Sequence, residues 1–340
     1  MKLPAWFKQE IPDMNQVRLM KDLFRGGSLH TVCESAKCPN MGACWKQRVA
    51  TFMILGGTCT RSCRFCAVPA GQGDAIDGNE PQQVALAVKE LGLRYVVVTS
   101  VTRDDIGDGG AGMFVKTIEA IRALTPAVKI EVLIPDFGAQ EGSLRSLSRS
   151  APEVIAHNIE TVRRLSPDVR PQARYERSLQ VLHRLGQLNG DVFIKSSLMV
   201  GLGEREEEIL ETMADLRQAG CQILTIGQYL SPTTNDSPRY EGTTNDSPRY
   251  EGTTNDSPRY EGTTNDSPRY EGMQKRHWPV ERFVAPDDFE RYRQIGRDMG
   301  FLHVQAGPLV RSSYLADKGY QAAMAGMSGV INTIQQGVIV

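Results

Sequence analysis

TFMILGGTCTRSCRFC (Thr51–Cys66) is the stretch on which the fold turns. Its first half, Thr51–Gly56, is a short apolar, β-rich run closed by a glycine pair, the pattern of a buried strand. Its second half places Cys59, Cys63 and Cys66 in a C-x3-C-x2-C loop directly after that strand. Upstream, Cys33, Cys38 and Cys44 form a second triplet, C-x4-C-x5-C. A [4Fe–4S] cluster has four iron corners and ordinarily takes four thiolates. Each triplet therefore leaves one iron without a cysteine, and an open iron is a place for chemistry. The pattern points to an enzyme working at two incomplete clusters.

Two plainer explanations compete. Disulfides fit poorly, because the start of the chain reads as lacking a secretion signal: Pro4 and Pro12 interrupt a stretch without a long apolar core. Structural zinc favours four ligands arranged in pairs. Each triplet offers three, and nearby His30 has no matching partner. The seventh cysteine, Cys221, enters an apolar run (AGCQILTIGQ) and reads as a buried, inert thiol.

At 340 residues the chain can bury a large core, and its 40% hydrophobic, 23% charged composition is that of an ordinary soluble protein. The net charge of −1 gives no electrostatic footprint for nucleic acid. No stretch approaches the ~20 apolar residues of a membrane span. With no targeting segment in view, a cytoplasmic location is the simplest expectation, an organellar form with its presequence removed being the alternative.

TTNDSPRYEG occurs four times without change, from Thr233 to Gly272. The repeat has no aliphatic side chain, and each copy carries a proline and a glycine, so it reads as a disordered loop insertion. Each copy contributes −1, leaving +3 on the rest of the chain. Loop closure grows only logarithmically with length, so a fold can accommodate it.

Outside the repeat, apolar β-branched runs alternate with helical patterns. After Thr51–Gly56 come Tyr95–Ser100, Ile130–Ile134, Val154–Asn158, Val192–Met199 and Ile223–Gln228. Helices are expected over Pro81–Leu91, Glu204–Ala219 (stopped by Gly220) and Pro286–Met299 (stopped by Gly300). Six such strands predict a parallel sheet, in a closed or partial barrel or an open doubly wound form. The polar residues favour the barrel, because each strand runs into a chemically capable loop, and α/β barrels build their sites at that end. The loops carry Cys59–Cys66, Arg103-Asp104-Asp105, Asp136, Asn158 with Glu160, Gly201–Glu204, and Gln228-Tyr229. The expectation is a partial (β/α)6 TIM-like barrel with an N-terminal cluster-binding extension and a C-terminal cap. Its expected boundaries are 1–50 for the extension and 51–232 for the barrel. The insertion takes 233–272, the end of the barrel and the cap 273–325, and a flexible tail 326–340.

The C-x3-C-x2-C loop after a first barrel strand, with Phe65 between its last two cysteines, resembles the radical S-adenosylmethionine superfamily. CESAKCPNMGACW (Cys33–Trp45) and ATFMILGGTCTRSCRFCAV (Ala50–Val68) narrow the likeness to lipoyl synthases. It continues through VTSVTRDDIGDGGA (Val98–Ala111), HNIETV (His157–Val162), VRPQARYERSL (Val169–Leu179), KSSLMVGLGE (Lys195–Glu204), ILTIGQYL (Ile223–Leu230), FVAPDDF (Phe283–Phe289) and GPLVRSSYLAD (Gly307–Asp317). It covers nearly all of the chain except the insertion and the last 20 or so residues.

The resemblance implies two [4Fe–4S] clusters and S-adenosyl-L-methionine, two molecules per lipoyl group. Cys59, Cys63 and Cys66 would hold the cluster that cleaves S-adenosylmethionine. Cys33, Cys38 and Cys44 would hold an auxiliary cluster whose fourth ligand is Ser313, or its neighbour Ser312, in the R-S-S-Y motif. The implied reaction inserts sulfur at C6 and C8 of a protein-bound octanoyl-lysine, with the auxiliary cluster as sulfur donor. Arg103, Asp104, Asn158, Glu160 and Arg174 become candidates for gripping S-adenosylmethionine. Implied partners are octanoylated lipoyl carrier domains (2-oxoacid dehydrogenase E2 subunits and the glycine cleavage H protein), a ferredoxin or flavodoxin-type reductant, and a carrier that rebuilds the spent cluster. Neither nucleic acid nor membrane is implied. Ser197 and Arg163 depart from the family pattern, which has glycine and proline there, and bear on packing. Another two-cluster sulfur-inserting enzyme, of the methylthiotransferase kind, is the alternative, although it would call for a basic RNA-binding module. An electron carrier would need neither open irons nor a barrel.

Overall fold

The computed structural model describes residues 3–8, 14–27, 29–35, 38, 40, 41, 44, 50–188, 190–232 and 277–335. The repeat at 233–272, expected to be a disordered loop, lies outside them, as do the last five residues of the expected tail.

Elements follow in chain order. Helix α1 (Met14–Gly26) is followed by β1 (His30–Thr31) and α2 (Val32–Ser35). Then come β2 (Thr51–Ile54), α3 (Glu80–Glu90), β3 (Tyr95–Ser100), α4 (Ala111–Leu124), β4 (Lys129–Leu133), α5 (Glu141–Arg149) and β5 (Val154–Ala156). The second half continues with α6 (Ser166–Val169), α7 (Tyr175–Leu188), β6 (Phe193–Val200), α8 (Glu206–Gln218) and β7 (Ile223–Gln228). Helix α9 (Pro286–Asp298), β8 (His303–Gly307) and α10 (Ala316–Gln335) close the chain.

The strands form one sheet in sequence order, β1 through β8. Strands β2 to β8 pair in parallel, and β1 runs antiparallel to β2. All six expected strands are present in the expected order, and the sheet is an open, partial barrel. Strand β8 was not anticipated: His303-Val-Gln-Ala-Gly is short and polar, with only Val304 buried, so its sequence lacks the apolar run of a central strand.

The helix ends obey local chemistry. Helix α8 begins with Glu206, Glu207 and Glu208 at the positive end of its dipole, and Glu208 closes a capping box on Arg205. Gly220, at φ 93°, ends that turn in the left-handed conformation. Pro81 and Pro286 occupy first-turn positions, where the missing N–H costs nothing.

The pleat gives each strand two jobs. Phe52, Ile54, Val96, Val98, Ile130, Val132, Ile155, Ile194, Leu198, Leu224 and Ile226 join the main apolar core shared with the helices. Alternate residues face the barrel interior. At its lower end Val154, Phe193 and Ile223, each the first residue of its strand, pack with Ala323 of α10. Tyr320 of α10 stands between Tyr95 and Phe193, with ring centroids 6.0 and 5.8 Å away. The C-terminal helix thus stoppers the N-terminal mouth of the barrel, and it runs on through residues read from the sequence as the start of a tail. Lys195 and Glu131 form a buried ion pair inside the barrel at 2.7 Å, and the Tyr95 hydroxyl donates to the same carboxylate at 2.7 Å.

Candidate active site

At the opposite end, the strand ends open onto a cavity of about 370 Å³. The chain enters it sharply. After β2, Leu55 and Gly56 take positive φ values of 70° and 89°. A side chain at Gly56 would strike the Asp74 carboxylate at 2.5 Å. That carboxylate accepts the Gly57 and Thr58 N–H groups at 2.7 and 3.1 Å, and these bonds hold it below the usual carboxylate range. The turn delivers the loop Cys59–Cys66 to the top of the barrel.

Cys59, Cys63 and Cys66 all line the cavity, half-buried, with Phe65 beside them. The Arg61 and Thr102 amides donate to Cys59 Sγ at 3.4 and 3.3 Å and fix the position of that sulfur. Arg61, inside the triplet, is 5% exposed and fastens the loop to the barrel. Its guanidinium donates to Asp104 at 2.7 and 2.8 Å and to Asp136 at 2.7 and 3.0 Å.

The first triplet meets the same space from the other side. Cys33 and Cys38 line the large cavity together with Ser312 and Ser313. Cys33, Cys38, Cys44 and Ser313 also line a small adjoining cavity, with Arg311 and Thr51 in the walls of both. Asn40 Nδ2 donates to Leu309 O at 2.6 Å and ties this N-terminal segment to the C-terminal one. Burial pushes the Cys38 thiol up, opposed by Arg311. Burial first, and then the proximity of Cys38 and Cys33, pushes the Cys44 thiol up to about 12. Cys38 and Cys44, thiols that resist ionising alone, suit a positively charged metal group beside them. Among the described residues no three histidine, cysteine, aspartate or glutamate side chains converge on one point that a lone ion could fill.

A third wall carries Asn158 and Glu160. Asn158 Nδ2 donates to Glu160 Oε1 at 3.1 Å, while Asn158 Oδ1 is buried with no hydrogen-bond partner. Glu160 sits at φ 66°, held between Ser197 O and the Met199 amide, and burial raises its carboxyl. Arg170 Nη1 donates to Ile159 O at 2.7 Å, whereas its Nε, also buried, has no partner. His157 is buried beneath them; its Nδ1–H donates to Ile134 O at 2.9 Å and its Nε2 accepts from Ser178 Oγ at 3.0 Å. Met53, Leu133, Met199 and Leu230 add apolar surface.

Three of the candidate residues are engaged or placed elsewhere. Arg103 is fully engaged with Asp105 and Leu55 O and does not line the cavity. Asp104 is held by Arg61. Arg174 is exposed and does not line the cavity. Arg61 and Arg170, with Arg311 of the R-S-S-Y motif, are the cations in the cavity wall. The first two lie inside motifs legible in the sequence, but neither spacing nor charge distinguishes them there. Cys221 is fully buried, and burial pushes its thiol up to about 12.

The profile of the Radical SAM superfamily matches residues 53–216, the span that begins in β2 and carries the second triplet. The barrel and its three-cysteine loop therefore define a radical S-adenosylmethionine enzyme, a class that works with S-adenosylmethionine and [4Fe–4S] clusters. Three curated relatives are similar over nearly the full chain. The lipoyl synthase of Rubrobacter xylanophilus is 47% identical over 96% of this chain and 89% of that protein. Those of Symbiobacterium thermophilum and Thermus thermophilus are each 45% identical, over 98% and 94% of this chain and 92% and 87% of those proteins. The chain belongs to the lipoyl synthase family. Among solved structures, methylornithine synthase aligns with a TM-score of 0.44 at 13% identity, over 69% of this chain and 67% of that one. Among the described residues no helix is long and apolar enough to cross a membrane.

Proposed function

We propose that this chain converts a protein-bound octanoyl-lysine into a lipoyl group by inserting sulfur at C6 and C8. The observation that carries the reading is that Cys59, Cys63 and Cys66 face one cavity together with Cys33, Cys38 and the serine pair, while Cys44 lines a small adjoining cavity walled by the same Cys33, Cys38 and Ser313. A sulfur source and a C–H-activating centre must share a space if one alkyl chain is to meet both.

Cys59, Cys63 and Cys66 are assigned to one [4Fe–4S] cluster, and Cys33, Cys38, Cys44 and Ser313 to the auxiliary one, with Ser312 as the adjacent alternative. When bound, the first of these with S-adenosylmethionine supplies the oxidising power that an unactivated C–H bond demands, and the second supplies sulfur. The chain's own work is binding, orientation and exclusion of water. Asn158 Oδ1 and Arg170 Nε, buried and unpartnered, suit a ligand that carries both an amine and a carboxylate, as the methionine end of S-adenosylmethionine does. Met53, Leu133 and Met199 give the octanoyl chain an apolar wall, and the amide hydrogen bonds to Cys59 hold its sulfur in place.

The family acts on lipoyl carrier proteins. The E2 subunits of 2-oxoacid dehydrogenases and the glycine cleavage H protein are the proposed substrates. A ferredoxin or flavodoxin is the proposed reductant, and a cluster carrier the proposed source of repair. The near-neutral charge fits a compact protein partner better than a nucleic acid, and a cytoplasmic location follows the same reading.

The test is a single turnover of anaerobically reconstituted protein with S-adenosylmethionine, dithionite and an octanoyl-lysine peptide, read by mass spectrometry. A peptide carrying two added sulfurs supports the reading. Deoxyadenosine without thiolated peptide sinks it.

A further inference from the structure

The turn from Cys63 to Cys66 receives its outer cover from a segment far along the chain. His277, five residues after the last repeat, places Nε2 3.1 Å from the Cys66 carbonyl and donates to it. Trp278 N donates to Arg64 O at 2.9 Å, and the Arg64 guanidinium lies over the Trp278 ring, 4.4 Å from its centroid. On the opposite side of the turn the Arg64 amide donates to Val169 O at 2.8 Å. The two carbonyls in the turn's outer half, Arg64 O and Cys66 O, are thus occupied by consecutive residues of one segment.

That segment is itself anchored. Trp278 Nε1 donates to Leu202 O at 2.9 Å, and the Tyr229 hydroxyl donates to Trp278 O at 2.8 Å. Glu281 N donates to Gly201 O, and Gln228 bridges Arg282 O and Val284 N. The loops after β6 and β7 therefore hold a clasp whose first described residues, His277 and Trp278, grip the second triplet. His277 Nδ1 is buried without a hydrogen-bond partner, a cost that an apolar side chain would avoid.

We propose that His277 and Trp278 are positioning residues for the cluster assigned to Cys59, Cys63 and Cys66. They act by fixing the peptide planes of Arg64 and Cys66 and, through them, the direction of Cys66 Sγ. The proposal rests on that cluster assignment. Partners of this kind, one bond removed from a ligand, govern metal retention and the aim of the open coordination position.

The test uses the reconstituted full chain and reads the electron paramagnetic resonance signal of the reduced protein during an S-adenosylmethionine titration, together with the rate of iron loss to a chelator. For His277→Ala and for Trp278→Ala, the half-saturating S-adenosylmethionine concentration rises about tenfold and the affected cluster loses iron about tenfold faster. His277→Gln, which keeps a donor, and Trp278→Phe, which keeps a ring for Arg64, recover most of the loss. Unchanged titrations and iron loss in folded alanine variants overturn the proposal, as do glutamine and phenylalanine variants no better than alanine. If the alanine variants do not fold, His277→Asn, too short to reach Cys66 O, is compared with His277→Gln, and equal titrations overturn it. No octanoyl substrate is involved, so a failure of lipoyl formation leaves these readouts standing. A parent protein without any S-adenosylmethionine-sensitive signal overturns the cluster assignment and this proposal with it.

Discussion

Arg61 and Asp136 meet in a two-pronged ion pair, Nη2 to Oδ1 at 2.7 Å and Nη1 to Oδ2 at 3.0 Å, with side-chain exposures of 6% and 0%. Burial alone would raise the Asp136 carboxyl, but the hydrogen bonds and charge of Arg61 hold it well below the usual range. Arg61→Ala leaves that buried carboxylate with the Gly138 amide at 3.0 Å and, as its remaining paired cation, Arg177 at 3.4 Å. The expected loss is about 3 kcal/mol of apoprotein stability, read by urea unfolding. Arg61→Lys, which keeps charge but not the fork, falls between the two.

His157 carries a pH dependence. Burial first, and then Arg170, lowers its pKa to about 4. The unfolded chain takes up this proton near pH 6.5, so acid favours unfolding between those two values. Stability fully present above pH 6.5 falls by about 2 kcal/mol at pH 5, before most carboxylates titrate. Urea midpoints at pH 7.5 and 5.0 measure it, and His157→Gln flattens the difference. An equal drop in both proteins would refute the assignment.

The ion pair inside the barrel predicts non-additivity. Lys195→Met strands Glu131, whose side chain is 2% exposed, and costs about 3–5 kcal/mol. Replacing the set together, as Lys195→Met, Glu131→Leu and Tyr95→Phe, recovers most of that. Chemical denaturation of the single and triple variants reads the coupling.

Gly227 holds the R-S-S-Y segment close. A Cβ there would lie 2.1 Å from Val310 O, so Gly227→Ala pushes Val310 and its neighbours off β7. The auxiliary site is expected to lose its serine wall while the second triplet stays intact. Iron content below the parent's, with deoxyadenosine still formed, is the expected result; full iron loading would contradict it.

The triplets have separable duties. Cys63→Ala abolishes both deoxyadenosine and product. Cys33→Ala still forms deoxyadenosine yet inserts no sulfur. Lipoyl product from Cys33→Ala would remove the auxiliary cluster from the sulfur-donor role.

The six strands with apolar cores were legible because parallel strands buried on both faces leave continuous apolar runs, as in Tyr95–Ser100 and Ile223–Gln228. Strand β8 was not, because its neighbours supply the apolar contacts that its own sequence lacks. The cysteine triplets announced themselves through spacing. The charged residues did not: Arg103 and Asp104 stand at the right end of β3 and are neutralised by Asp105 and Arg61. A sequence shows which charges are available, whereas only packing shows which have already found a counterion.

The cavity is walled by Cys33 from the start of the chain and Ser313 from near its end, with α10 closing the barrel just beyond. Every cysteine of both triplets has been made by residue 66, yet their cavity lacks a wall until residues 310–313 arrive, and the opposite mouth of the barrel stays open until the last helix is in place. Synthesis on the ribosome therefore exposes six thiols long before their chamber exists. A ribosome that stalls or stops short of the final helix leaves a chain rich in iron ligands but without the barrel's stopper.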